Sequence, residues 1–162
     1  MGAKLTRQYQ AFRHEPENGI QGDCYRTAVA CVLGIERDSV PHSHDELTGP
    51  EAETFIDAWL KPQGLRRIFM PVLGDDLRTV AEAIYPRGGG LPLIITGRGP
   101  RDVNHVVVVH GPNEIWCPTL GAVPPRIALI GPALPDHYFW AEWIVADPAG
   151  RLALQESPDA QS

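Results

Sequence analysis

The stretch that decides the fold is residues 21–35, QGDCYRTAVACVLGI, in which a Gly-Asp turn precedes an apolar pattern of helical period. The pattern predicts a helix from about Asp23 to Leu33, with Asp23 as its cap and Gly34 at its end. Cys24 then lies in the first turn, where the helix dipole and unpaired backbone amides favour a thiolate over a thiol. This position predicts a nucleophilic cysteine.

A base for this cysteine stands 81 residues further along the chain, in VNHVVVVHG (103–111). His105 begins an apolar strand and follows a flexible loop over 97–100. A polar ring at the exposed end of a buried strand, with a loop in front of it, suits a general base. Folding would have to bring the strand start to the helix start. The pair predicts a cysteine hydrolase with Cys24 as nucleophile and His105 as base.

The remaining cysteines and histidines point to no cofactor. Cys31 lies two helical turns beyond Cys24, about 10.5 Å away, which is too far for a disulfide and is typical of a buried structural thiol. His42 and His44 fall in a polar run that reads as a solvated loop. Neither a CxxC nor an HxxxH spacing is present, so neither a metal nor another cofactor is expected.

Composition limits the function classes further. The 162 residues predict one domain over 1–150, with 151–162 as a disordered tail. A net charge of −6 without a basic run argues against nucleic acid and anionic membranes. There is no apolar run of about 20 residues, and the N-terminus lacks a signal-peptide core. With three cysteines, an odd number, these features predict a cytoplasmic protein in a reducing compartment.

The order of the predicted elements indicates an α+β fold, with N-terminal helices packed on an antiparallel β-sheet. The helical pattern recurs after Pro50 and again after Asp76, with Phe55, Ile56, Trp59 and Leu60 as the apolar stripe of the first of these helices. Strand patterns follow the glycine run 88–90. The predicted strands are 91–96, 105–109, 114–117 and 138–146, the middle two form a hairpin through 110–113, and 6–12 is a short strand or extended entry.

Two blocks of the chain resemble a known family. GDCYRTAVACVLGIERDSVPH (22–42) and ITGRGPRDVNHVVVVHGPNEIWCPTLG (95–121) are similar to papain-like cysteine peptidases among uncharacterised phage and bacterial proteins, which are distantly similar to bacteriocin-processing peptidase domains. The resemblance covers 8–42 and 91–121, and the cysteine precedes the histidine as in that family.

The resemblance implies a papain-like fold in which Cys24 attacks a carbonyl of a peptide or protein substrate and His105 transfers the proton. In such families a glutamine upstream of the cysteine donates a hydrogen bond to the oxyanion. Gln10 occupies the matching place. Gln21 is the competing candidate, although it belongs to the same turn as Cys24.

The chain departs from the family at the group that would orient the histidine. Relatives carry Asp-Pro where this chain has Cys117-Pro118. A hairpin turn at 111–112 would place position 117 or 118 opposite His105, and would leave Asn113 about 15 Å or more away. Asp147 could orient the ring only if the last strand lay beside the histidine strand.

This departure keeps two other hypotheses open. The first is a degenerate papain-like fold that acts as a protein-binding module, for example a phage protein that engages a host protein. The second is a structural zinc protein that uses Cys24, Cys117 and histidines.

Overall fold

The computed structural model describes residues 5–45, 47, 49–111, 113–119 and 129–149. Within them, α-helices and an antiparallel five-stranded sheet confirm the α+β class. The predicted tail, 151–162, lies outside the described residues. The elements are α1 (Cys24–Leu33), α2 (Pro50–Leu60), β1 (Leu65–Val72), α3 (Leu77–Ile84), β2 (Leu93–Arg98), β3 (Asn104–Val109), β4 (Ile115–Trp116) and β5 (Phe139–Ala146).

The sheet has the strand order β1-β5-β2-β3-β4, and every neighbouring pair is antiparallel. Two rows of paired residues matter for the site. One row joins Trp140 on β5, Thr96 on β2 and Val106 on β3. The next row joins Glu142 to Ile94 in the same way. Paired residues project to the same face of a sheet, and residues two apart share that face. Both rows therefore belong to one face.

Helices cover both faces of the sheet. The face that carries Ile94, Val106 and Val108 packs against α1 and α2, whereas the opposite face packs against α3. Successive side chains of β3 point to opposite faces of the sheet, and all four of its valines are buried. Both faces of this strand are therefore covered. None of the described helices is both long enough and apolar enough to cross a lipid bilayer.

Two sequence predictions differ from the observed elements. The strand β1 was not predicted, because its sequence LRRIFMPV carries two arginines and a proline. These residues are tolerated because β1 is at the edge of the sheet. Residues 6–12 form no strand: they run extended, and the Gln10 N–H donates to the Pro118 carbonyl.

The predicted apolar stripe of α2 is also only partly right. Ala52, Ile56 and Leu60 are the buried residues of this helix, and Phe55 is 45% exposed. Ala52 and Ile56 are one turn apart on the inner face, while Phe55 lies on the flank of that face. The periodicity of the sequence located the helix correctly. It missed Ala52 among the inward-facing residues and wrongly included Phe55.

Candidate active site

Helix α1 holds Cys24 over the sheet. Residues 28–31 are fully buried, and they belong to one hydrophobic cluster with Ile94 of β2 and Val106 and Val108 of β3. Cys24 is the first residue of α1, as predicted, and its sulfur is within reach of the backbone N–H groups of Tyr25 and Val106. The Val106 nitrogen belongs to the peptide that joins it to His105. The thiol therefore lies near the peptide bond that joins His105 to Val106, at the start of the histidine strand.

Asp23 has a different role from the predicted cap. It occupies the N-cap position, but its side chain makes no capping hydrogen bond. Its carboxylate is fully buried and instead accepts from the Ala11 N–H (3.2 Å) and the Phe12 N–H (2.9 Å), with the Arg37 Nε at 3.7 Å. Asp23 thus ties the extended N-terminal segment to the start of α1.

The ring of His105 is held by a triangle of short contacts. Its Nε2 lies 2.9 Å from the Thr119 Oγ1 and 3.4 Å from the Cys117 Sγ, and these two atoms are 2.9 Å apart. The Cys117 side chain therefore contacts His105, although the observed register sets position 119 opposite 105 where the prediction had 117 or 118. Thr119 was not predicted. A base that uses Nδ1 needs its proton on Nε2, and Thr119 can accept that proton in a hydrogen bond.

Neither of the alternative orienting residues lies near His105. Asp147 follows the far end of β5: the register places Phe139 level with Gly97, the partner of His105, and Asp147 is eight residues beyond it. Eight residues of strand span about 26 Å, and β2 lies between β5 and β3. The Asn113 side chain accepts from the exposed Arg78 instead. Asp147 is therefore excluded as the orienting carboxylate.

A cavity of about 800 Å³ opens over this part of the molecule, and Cys24, His105, Gln10, Gln21 and Cys117 all line it. The His105 Nδ1 bonds to none of the described residues. No hydrogen bond joins Cys24 to the His105 ring within the described part of the chain. The structure brings the pair to one cavity, and their contact at 3–4 Å stays a prediction.

Gln10 is in the cavity wall, as its predicted role requires, and one N–H of its amide is already used. It is 4% exposed, and its Nε2 donates to the Phe12 carbonyl at 2.8 Å. Its Oε1 is buried without a hydrogen-bond partner. The Phe12 carbonyl determines this orientation, because a flipped amide would set two acceptors against each other. The Gln10 Oε1 is therefore an acceptor without a partner, while the second Nε2 hydrogen is a donor that no hydrogen bond within the described residues uses, and the oxyanion role of Gln10 stays a prediction.

Burial leaves both members of the pair neutral in this structure. It raises the pKa of Cys24 to about 11, and the Asp23 charge adds to this, while the N–H groups of Val106 and Tyr25 oppose it. Burial and the nearby Arg101 charge lower the pKa of His105 to about 4. The expected lowering of the Cys24 pKa is wrong, because desolvation outweighs the helix dipole and the backbone hydrogen bonds.

The Cys117→Asp substitution is expected to raise the pKa of His105 by about 1–3 units, because it would set a carboxylate near Nε2. A carboxylate there would also stabilise the imidazolium that forms during proton transfer. The His105 ring signals in an NMR titration of the variant provide the measurement. Cys117→Ser is the uncharged control. An unchanged titration would mean that position 117 does not act on the ring.

The other cysteine and histidines named from the sequence, Cys31, His42 and His44, make contacts typical of structural residues. Cys31 is buried and all three cysteines are free, as predicted. The His42 Nε2 lies 3.2 Å from the Gly22 carbonyl, and the His44 Nδ1 contacts the Ser43 hydroxyl. No group of three or more His, Cys, Asp or Glu side chains is arranged as metal ligands among the described residues.

Comparison with known proteins adds no assignment. A scan against protein-family models, a search of curated proteins and a search of solved structures each returned no match to this chain.

Proposed function

We propose that this protein is a papain-like cysteine hydrolase of the peptidase or amidase type, with Cys24 as nucleophile and His105 as general base. The observation that carries the proposal is the shared cavity, into which the first residue of α1 and the first residues of β3 both open. The backbone N–H of Val106 acts on the pKa of Cys24, which places the thiol near the strand that carries the base. The substrate is a peptide or protein.

The neutral pair determines how such a hydrolase works. The resting thiol carries its proton, so His105 removes it as the sulfur attacks the carbonyl, as in general-base catalysis. Thr119 accepts from Nε2 and leaves Nδ1 to take that proton. Since Asp23 does not cap α1 with its side chain, the first amides of the helix remain available as donors to an oxyanion.

A second function, a protein-binding module built on a degenerate papain-like fold, is favoured by one observation. The raised pKa of Cys24 and the lowered pKa of His105 exclude a thiolate–imidazolium pair in the resting state. A chain that has kept the fold and lost the chemistry would show the same values. Its partner would be a host protein if the chain is of phage origin.

The rate of Cys24 alkylation by iodoacetamide against pH separates the two functions. A thiol with a pKa of about 11 reacts through its thiolate, so the rate rises about tenfold per pH unit through neutral pH. Assistance by His105 adds a second limb, which begins near pH 4 and continues level to neutral pH, and His105→Ala removes it. Mass spectrometry assigns the labelled cysteine, and Cys24→Ala is the control.

The hydrolase proposal requires the two-limbed curve in the wild-type protein. If wild type and His105→Ala give the same single curve, His105 does not act on the thiol and the binding module is the better description. Protection from alkylation that a chelator reverses would instead support the zinc hypothesis.

A further inference from the structure

The wall of the cavity beside Cys24 carries a buried cluster of charged and polar side chains. The Tyr25 hydroxyl donates to the Glu142 Oε1 at 2.7 Å, and the Arg67 Nη1 contacts the Glu142 Oε2 at 3.2 Å. Arg67 also makes a bidentate pair with Asp57, at 2.7 and 3.0 Å. Tyr25, Arg67 and Glu142 line the cavity. The cluster lies next to the proposed nucleophile, because Tyr25 follows Cys24 in the chain.

Arg67 has no donor left for a ligand. Its Nε–H goes to Asp57, the two Nη1 hydrogens serve Tyr25 and Glu142, and Nη2 serves Asp57 and the Glu53 carbonyl. These contacts use all five N–H groups of a guanidinium. One arginine faces two carboxylates, so the cluster has an excess of one negative charge when Glu142 is ionised. Burial raises the pKa of Glu142, and Tyr25 and Arg67 oppose this. The Glu142 carboxylate has acceptor positions that Tyr25 and Arg67 do not fill.

An aromatic surface adjoins this charge. Trp140 precedes Glu142 by two residues on the same face of β5, and Phe69 on β1 is the register partner of Glu142. The Phe69 and Trp140 ring centroids are 6.1 Å apart. The Trp140 Nε1 donates to Asp136, Phe69 and Tyr138 pack against its ring, and the residue lines the cavity. Aromatic faces next to carboxylates favour cations.

An independent observation is a buried acceptor in the cavity wall that has no hydrogen-bond donor as its partner. The Gln10 Oε1 is buried without a partner in the wall of the same cavity, and an unsatisfied buried acceptor is costly. A ligand that brings N–H groups would satisfy it. The acceptor capacity that remains at Gln10 and Glu142 therefore points to the same chemistry, that of a donor-rich ligand.

Apart from Arg67, the arginines that line the cavity belong to its other end. Arg101 is in the loop after β2 and donates to the His14 carbonyl, next to Arg13 in the chain. The β2 partner of Glu142 is Ile94, five residues before this loop begins at Gly99, which is about 16 Å along the strand. The arginines of that end do not cancel the charge at Glu142.

We infer that the cavity binds a peptide with a lysine or arginine side chain, whose cationic group contacts Glu142 and the Trp140 ring while a backbone N–H donates to the Gln10 Oε1. This names a substrate class and rests on the proposed function for its catalytic meaning. Val106, beside the Cys24 sulfur, is two strands and one row away from Glu142, on the order of 12 Å. A long basic side chain can cover most of that span.

The test is a binding measurement on the Cys24→Ala protein, which separates recognition from chemistry. The probes are acetylated and amidated hexapeptides of glycine and alanine with one variable residue, lysine, arginine, norleucine or glutamate, at each of the six positions in turn. Calorimetry is expected to give at least tenfold tighter binding of the best lysine or arginine peptide than of its norleucine counterpart. Norleucine has the length of lysine without its charge.

Two variants test whether Glu142 and Trp140 cause the preference for a basic side chain. Glu142→Gln and Trp140→Leu should each reduce the ratio between the lysine and norleucine peptides to below about threefold. Glu82→Gln, which removes an exposed carboxylate paired with Arg78, should leave it unchanged. If Glu142→Gln does not fold, two measurements still test the inference. They are the ratio between the lysine and norleucine peptides in the Cys24→Ala protein and the same ratio in the Trp140→Leu variant.

Equal binding of the lysine and norleucine peptides, tighter binding of the glutamate peptide, or no binding of any peptide would overturn the inference. Hydrolysis of the same peptides by the wild-type protein is measured separately. A lysine preference without hydrolysis would leave this inference standing and contradict the proposed function. Hydrolysis without a lysine preference would support the proposed function and contradict this inference.

Discussion

Thr119→Val is expected to lower the hydrolytic turnover about 100-fold or more. The substitution keeps the shape of the side chain and removes the hydroxyl that lies 2.9 Å from the His105 Nε2. Without that acceptor the proton of the neutral ring can move to Nδ1, the nitrogen that must take the proton of Cys24. Loss of the orienting carboxylate in a serine protease costs about ten-thousandfold for the same reason. Turnover of the best lysine or arginine hexapeptide provides the measurement.

If Thr119 positions the His105 ring, two further results are expected. Thr119→Ser keeps the hydroxyl and should retain most of the turnover. In Thr119→Val the neutral-pH limb of the Cys24 alkylation curve should weaken, which a purely structural effect would not cause. Thr54→Val, which removes an exposed hydroxyl bonded to the Pro50 carbonyl in α2, is the matched control. Full turnover in Thr119→Val would contradict the assignment.

Asp23→Asn is expected to lower the free energy of unfolding by about 3 kcal/mol. The carboxylate is fully buried and accepts from two backbone N–H groups, whereas an asparagine would turn its own donors towards one of them. The nearby Arg37 would also lose its buried counter-charge. Urea unfolding followed by circular dichroism measures the change.

Asp38→Asn is the matched control for this prediction, because Asp38 also contacts Arg37, at 2.9 Å, but is exposed. Exposed ion pairs contribute about 1 kcal/mol or less, so this variant should unfold close to wild type. In Asp23→Asn the pKa of Cys24 should fall, since the charge that helps to raise it is gone. Equal stability of the two variants would show that the buried carboxylate does not hold the segment.

The elements that local periodicity specifies were predicted well. The helix that begins at Cys24 and the four-valine strand after His105 both occur close to their predicted bounds. The predicted hairpin set position 117 or 118 opposite His105, and the Cys117 side chain does contact the ring. The observed register pairs Val108 with Trp116, and continued along the chain it sets position 119 opposite 105. Thr119 was missed because the predicted register was one to two residues off.

Other features depend on burial, which a local pattern does not reveal. Position at a helix start predicted a lowered pKa for Cys24, and the packing of α1 on the sheet reverses its sign. Arg67 was assigned to no element, because a strand with two arginines and a proline lacks the usual pattern. Its partners Asp57 and Glu142 come from α2 and β5, and only tertiary folding brings them to it.

The extended N-terminal segment closes the side of the sheet where β4 is short. The Gln10 N–H donates to the Pro118 carbonyl, the Trp116 indole donates to the Gln8 carbonyl, and Arg7 pairs with Glu114. An uncovered sheet edge invites strand addition from another chain. The segment that carries Gln10 into the cavity therefore also covers this edge, so its detachment would expose the edge and remove Gln10 from the cavity at the same time.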